Sequence, residues 1–278
     1  MHAAGLLAID VGSSRVKLGW FPAVGACNSD KPAGSLPIAA PLLPQPQEGF
    51  EAPHRDCSPE TWLGEIERWL EARGIGRDAR CSIASVHAAA GGALEEHLRL
   101  RGFARLRRLN NADVPIVARV AEPGRVGIDR LLGALAASRL RSPGAPAISV
   151  DMGTAITVDL IAADGGFEGG AILAGPDLSL AALHGGTSTL PRLAADVIDK
   201  PPEPVGKSTA AALASGAYWG AVGARLAAEC PAPPELFLTG GAARRFAPLL
   251  RLDGKAARCI PHLVLSGIQL AAAECRAS

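Results

Sequence analysis

The sequence predicts an α/β protein built from two copies of one strand–turn–strand unit. The first observation is the stretch Leu7-Ala8-Ile9-Asp10-Val11-Gly12-Ser13-Ser14-Arg15-Val16-Lys17. Leu6 to Ile9 form a short apolar run of the kind that makes a central strand. Gly12, Ser13 and Ser14 make a turn. Val16, Leu18 and Trp20 then alternate with Arg15, Lys17 and Gly19, the period of a half-buried strand. The second observation is Ser149 to Asp159, which repeats the plan: an apolar strand, Asp-x-Gly-Ser/Thr, then an alternating strand. The third is their separation. One copy lies in each half of the chain, a spacing that suits a duplicated domain and not a solenoid.

Asp10 is where chemistry would start. A carboxylate at the end of a buried strand can hold a metal ion, while the free N–H groups of the adjacent turn hold phosphate. An ordinary hairpin with an Asp in its turn has the same local sequence. Two facing hairpins of this kind would clamp one nucleotide from both sides.

With 278 residues the chain suits one large domain or two of ordinary size. Its 48% hydrophobic and 20% charged residues indicate a globular protein with an ample core. A net charge of +1 gives no electrostatic case for a nucleic-acid partner. The six cysteines (Cys27, Cys57, Cys81, Cys230, Cys259 and Cys275) contain no Cys-x-x-Cys pair. Neither a disulfide framework nor a zinc site is indicated, and reduced thiols in a cytoplasmic protein are expected. Met1 to Gly5 lack the basic start of a signal peptide. No stretch is long and apolar enough to span a bilayer, so no membrane partner is expected. The expected division is an N-terminal domain, 1–118, and a C-terminal domain, 119–278.

Pro22 to Pro53 is rich in Pro, Gly, Ala and Ser and reads as loop with room for one more strand. A helix begins near Ser58, with Pro59 at its first position, and Trp62, Ile66, Trp69 and Leu70 recur at helical spacing to face a sheet. Gly74 ends it. Cys81 to Val86 reads as a strand, Ala88 to Gly92 as a small flexible lead-in, and Ala93 to Arg101 as a helix. Arg105 to Leu109 and Val114 to Val120 read as short strands. His87 and His97 lack partners at metal-ligand spacing and are expected to be structural or surface residues. The arginines at 101, 105, 107 and 108 read as a solvated face, with phosphate gathering as the weaker alternative.

Val126 to Arg130 opens a helix running to about Arg141. Asp129 at its start is either an N-terminal cap or a general base beside a substrate hydroxyl, with Arg130 clamping an anionic group. After the second hairpin, Asp164-Gly165-Gly166 turns into a third strand, Phe167 to Ala174, followed by a helix from Pro176 to His184. Gly206-Lys207-Ser208 matches the tail of a P-loop, but Pro201 occupies the place of its first glycine and no strand precedes it, so that reading is rejected. Ser208 or Thr209 instead caps an Ala-rich helix expected to reach Ala228. Its small residues permit close packing in a dimer or a domain interface. Glu235 to Ala242 reads as a strand entering a Gly-Gly turn, where backbone can approach a ribose closely. Leu263 to Glu274 makes the final helix.

Three motifs now stand in order: Asp10-Val-Gly-Ser-Ser-Arg-Val-Lys17, Gly127-Ile-Asp-Arg130 and Asp151-Met-Gly-Thr154. With Gly206-Lys-Ser-Thr209 and Leu238-Thr-Gly-Gly241, the chain resembles a bacterial type III pantothenate kinase over essentially its whole length. The resemblance implies duplicated ribonuclease H-like domains of the sugar kinase, Hsp70 and actin superfamily, with the nucleotide cleft between them. It implies ATP-dependent phosphorylation of pantothenate to the 4′-phosphate, the first step of coenzyme A synthesis. It also implies magnesium, a monovalent cation (potassium or ammonium), and a homodimer. Asp10, Val11, Gly12, Ser13, Ser14, Arg15, Val16 and Lys17 would surround the ATP phosphates, Asp10 with the magnesium, and Thr154 would contact ATP. Asp129 would accept the proton. Gly127, Ile128, Asp129 and Arg130, with Thr209, would bind pantothenate, and Asp151 would bind the monovalent cation. Ser13 and Ser14 stand where the family usually has Asn and Thr. Val120 stands where it often has Tyr, nine residues before Asp129.

Two other readings use the same fold: a non-catalytic regulatory accessory protein, and a kinase of another small hydroxyl substrate such as a sugar. The retained acids Asp10, Asp129 and Asp151 favour catalysis, since a regulator would be free to lose them.

Overall fold

The structure is a computed structural model that describes residues 5–23, 43–193, 195–222, 232–252 and 255–274. The chain forms two compact units. The first combines Met1–Ile116, Ala121–Leu140 and His262–Ser278, and the second combines Val117–Val120 with Arg141–Pro261.

In the first unit β1 (Leu6–Val11) is the central strand of a five-stranded sheet. It pairs antiparallel with β2 (Arg15–Phe21), which pairs antiparallel with β3 (Glu48–Pro53). On its other side β1 runs parallel to β4 (Arg80–Ser85), followed by β5 (Leu106–Arg108). Every residue of β1 is buried, which is why Leu6 to Ile9 read as an unbroken apolar run. Leu7, Ile9 and Val11 pack with Trp62, Ile66, Trp69 and Leu70 of α1 (Pro59–Ala72) and Leu94 and Leu98 of α2 (Ala88–Leu100). Each such fully buried apolar side chain stabilises by about 1.5–3 kcal/mol. Side chains alternate along a strand, so Leu6, Ala8 and Asp10 belong to the opposite face. There α7 (Leu263–Glu274) packs on β1, β2 and β4, and beside it lies α3 (Ile128–Leu140).

The second unit repeats this order. Central β6 (Ala147–Met152) pairs antiparallel with β7 (Ala155–Ile161), and β7 with β8 (Phe167–Ala174). On the other side β6 runs parallel to β9 (Glu235–Thr239). A two-stranded ribbon, β10 (Arg251–Leu252) and β11 (Lys255–Ala256), precedes β12 (Arg258–Cys259), which runs parallel to β9. The helices are α4 (Pro176–Gly186), α5 (Thr209–Val222) and the short α6 (Ala243–Phe246). The two sheets share one strand order and one set of directions. This is a duplicated α/β architecture, and its strand order is the one expected of ribonuclease H-like domains.

Two local expectations are corrected. Ala88 to Gly92 is not a flexible lead-in but the start of α2, because His87 Nδ1 accepts the Ala90 N–H at 3.2 Å and caps the helix. Val114 to Val120 forms no strand ladder. Pro115 lacks an N–H, and the segment meets the sheet through an isolated parallel bridge between Ala118 and Phe167. The region 24–42 and the helix beyond Val222 lie outside the described residues.

Candidate active site

The first hairpin places Asp10 opposite Lys17 and Val11 opposite Val16. Gly12 N–H donates to the Arg15 carbonyl at 3.0 Å and closes the turn. Asp10 is 4% exposed, whereas Ser13 and Arg15 are exposed. Behind the turn, the N–H groups of His54 and Arg55 donate to the Ser14 carbonyl at 3.0 and 3.3 Å. His54 Nε2–H donates to the Gly12 carbonyl at 2.8 Å. His54 carries no local sequence signal, and sequence reading passed over it.

Asp129 lies in the first turn of α3, half-buried. Its Oδ1 accepts the Arg130 N–H at 2.8 Å, so one carboxylate oxygen does serve a helix-start donor. A side chain at Gly127 would meet that oxygen at 2.6 Å. The approach to Gly127 is held by Asn111, whose Nδ2 donates to the carbonyls of Pro123 and Val126, each at 2.9 Å. Asn110 and Asp113 form a capping box around Asn111, and Arg107 pairs with Asp113 at 2.6 Å. Asn111 is a second residue that sequence reading passed over.

In the second unit the Gly153–Thr154 turn closes through Gly153 N–H to the Ala155 carbonyl at 3.1 Å. Asp151 Oδ1 is shielded from solvent and has no hydrogen-bond partner among the described residues. Beside it, Gly240 sits at φ +93°, and a Cβ there would lie 2.3 Å from that oxygen. Ser208 is the N-cap of α5: its Oγ accepts the Ala211 N–H at 3.1 Å, and Thr209 is the exposed first residue of the helix. The expected residues therefore divide between the units. Asp10 to Lys17 and Gly127 to Arg130 lie in the first, and Asp151, Thr154 and Thr209 in the second. Among the described residues no three His, Cys, Asp or Glu side chains gather as a metal site, and no helix is long and apolar enough to cross a membrane.

A family model described as type III pantothenate kinase matches residues 47–227, more than half of the chain. The chain belongs to the type III pantothenate kinase family. The matched span holds Gly127–Arg130, Asp151–Thr154 and Thr209, and begins after the first hairpin. A type III pantothenate kinase of Phenylobacterium zucineum is 44% identical over 142 residues, covering 49% of this chain and 53% of that protein. One of Rhodopirellula baltica is 41% identical over 168 residues, covering 59% and 60%. The chain thus spans just over half the length of these relatives. Among solved structures, a Campylobacter jejuni protein described as a Baf family transcriptional activator superposes with a TM-score of 0.58 at 18% identity, covering 98% of this chain and 100% of that one. A Sinorhizobium meliloti protein described as a 2-dehydro-3-deoxygalactonokinase gives 0.51 at 16% identity, covering 97% and 96%. At that identity both speak for the fold alone.

Proposed function

We propose that this type III pantothenate kinase family member transfers the γ-phosphoryl group of ATP to the hydroxyl of pantothenate, the first step of coenzyme A synthesis. The observation that carries this reading is the Asp-x-Gly turn found at the same place in two sheets of identical order. In the reading, the turn from Asp10 to Lys17 (with Val11, Gly12, Ser13, Ser14, Arg15 and Val16) surrounds the ATP phosphates, and Thr154 contacts ATP. Gly127, Ile128, Asp129, Arg130 and Thr209 bind pantothenate.

Phosphoryl transfer asks the protein for positioning and charge neutralisation. Asp129, an acceptor-only carboxylate, takes the hydroxyl proton as the new O–P bond forms and the bond to ADP breaks. The backbone donor from Arg130 at 2.8 Å holds that carboxylate in place. Arg130 supplies charge for the pantothenate carboxylate. Asp10, a buried carboxylate at the head of the turn, would hold the magnesium, which would supply charge against the phosphates. The buried, unpartnered Asp151 Oδ1 fits a monovalent cation. Both ions, when bound, supply positive charge against the phosphates.

The reading includes a cytoplasmic homodimer. Leu178 and Leu183 of α4 and Ile172 of β8 are exposed apolar side chains suited to a partner copy.

The test is phosphotransfer from ATP to pantothenate by the purified chain, with and without potassium or ammonium, alongside Asp129→Asn. Cation-dependent product that is lost in the variant is expected. Turnover surviving in Asp129→Asn would remove the base assignment. A folded wild-type chain that binds ATP and makes no product would favour a regulatory role or another acceptor.

A further inference from the structure

The duplicated fold presents one position twice. In the second unit Gly175 follows β8, and its N–H donates to the Thr154 carbonyl at 2.9 Å. In the first unit His54 follows β3, and its N–H donates to the Ser14 carbonyl at 3.0 Å. Each residue lies directly behind the Asp-x-Gly turn of its own sheet. At Gly175 there is no room for a side chain, since a Cβ would lie 2.4 Å from the Gly153 carbonyl oxygen and 2.6 Å from that of Thr154. The first turn is longer by one residue, Gly12-Ser13-Ser14 against Gly153-Thr154. At this longer turn the corresponding residue, His54, carries an imidazole. Its Nε2 lies 2.8 Å from the Gly12 carbonyl oxygen, and because a carbonyl oxygen only accepts, Nε2 carries the proton. The ring is 9% exposed, packed 6.1 Å from Trp62 and edge-on to His87 at 5.0 Å.

We propose that His54 is a positioning residue for phosphate binding, holding the Gly12–Ser14 turn with its carbonyls drawn back and its N–H groups presented to the ligand. The Gly12 carbonyl is held by the imidazole, and the Ser14 carbonyl by two backbone donors. In a trans peptide the N–H points opposite to the C=O. Tying the Gly12 carbonyl toward His54 therefore directs the Ser13 N–H away from it, at an exposed residue. An incoming phosphate meets a fixed donor there instead of a carbonyl lone pair. This inference rests on the kinase reading above, in which that turn holds the ATP phosphates.

Calorimetric binding of ATP and of adenosine to the wild type, His54→Ala and His54→Gln tests it, with thermal unfolding of each protein alongside. Adenosine carries base and ribose without phosphate, so the ratio of the two affinities isolates the phosphate contribution. His54→Ala should lower that ratio by about tenfold, the scale of one hydrogen bond to a charged group. His54→Gln, whose amide can reach the same carbonyl, should restore most of it. If His54→Ala does not fold, His54→Asn, whose shorter amide falls short of Gly12, gives the same comparison. An unchanged ratio in a folded variant, or equal loss of ATP and adenosine, would overturn the assignment and leave the kinase reading standing. A wild type that binds neither ligand would overturn the kinase reading, and the role of His54 with it.

Discussion

Gly267 of α7 lies so close to α3 that a Cβ on it would come within 2.2 Å of the Leu132 carbonyl oxygen. The helices continue side by side to their far ends, where Arg139 pairs with Glu274 at 2.6 Å. Both helices are largely buried, α3 at Leu131, Leu132 and Leu135 and α7 at Leu263, Val264 and Ile268. Asp129 sits in the first turn of α3, so the C-terminal helix sets where that carboxylate stands.

Gly267→Ala should therefore act at a distance. The methyl group meets backbone, which cannot swing aside, and the helices must part. A loss of about 1–3 kcal/mol in urea unfolding is expected, together with, under the proposed role of Asp129, a fall in phosphotransfer as that residue is displaced. A variant with unchanged midpoint and unchanged turnover would show that the contact relaxes freely and does not position α3.

Asp151 offers a second test. Among the described residues its Oδ1 is buried without a donor, a costly arrangement unless a cation completes it. Potassium at tenfold excess over its Kd should stabilise the wild type by about 1.4 kcal/mol. Asp151→Asn, which removes the charge and keeps the shape, should unfold at one temperature with or without potassium. Equal stabilisation of both proteins by potassium would place the ion elsewhere.

His97 carries a pH dependence. Burial lowers its pKa below the ordinary 6.5, opposed by the Glu67 carboxylate at 3.8 Å and aided by Arg101. With the folded value below the unfolded one, the unfolded chain binds more protons in the interval between them, and stability rises with pH there. The contribution is complete above 6.5 and is lost as pH falls through the folded value. The wild type should be less stable at pH 5.5 than at pH 7.5, and His97→Gln should flatten that difference in unfolding curves. A steeper dependence in the variant would reverse the sign assigned to this ring.

Much of the fold was legible because burial leaves a period in the sequence. Leu6 to Val11 reads as a central strand since both of its faces are covered, and Trp62, Ile66, Trp69 and Leu70 read as a helix face since that face meets the sheet. The bounds of α7, Leu263–Glu274, coincide with the expected helix. The readings that failed had local signals that pointed elsewhere. Ala88 to Gly92 looked flexible because its composition is small, yet a cap from His87 makes it helical. Val114 to Val120 has strand-forming residues, but Pro115 and the lack of a partner ladder leave it as a single bridge.

The sequence by itself determined the two Asp-x-Gly turns, the strands on either side of them, and Gly-x-Asp-Arg at the head of a helix. These depend on residues adjacent in the chain, and period and turn chemistry record them. Only the tertiary structure decided that α7 carries α3 in the first unit, that Gly240 leaves room beside Asp151 Oδ1, and that His54, 42 residues from Gly12, closes the back of its turn. The physical reason is that a periodic pattern records which side chains leave water, whereas the atoms they meet are set by chain segments far away in sequence.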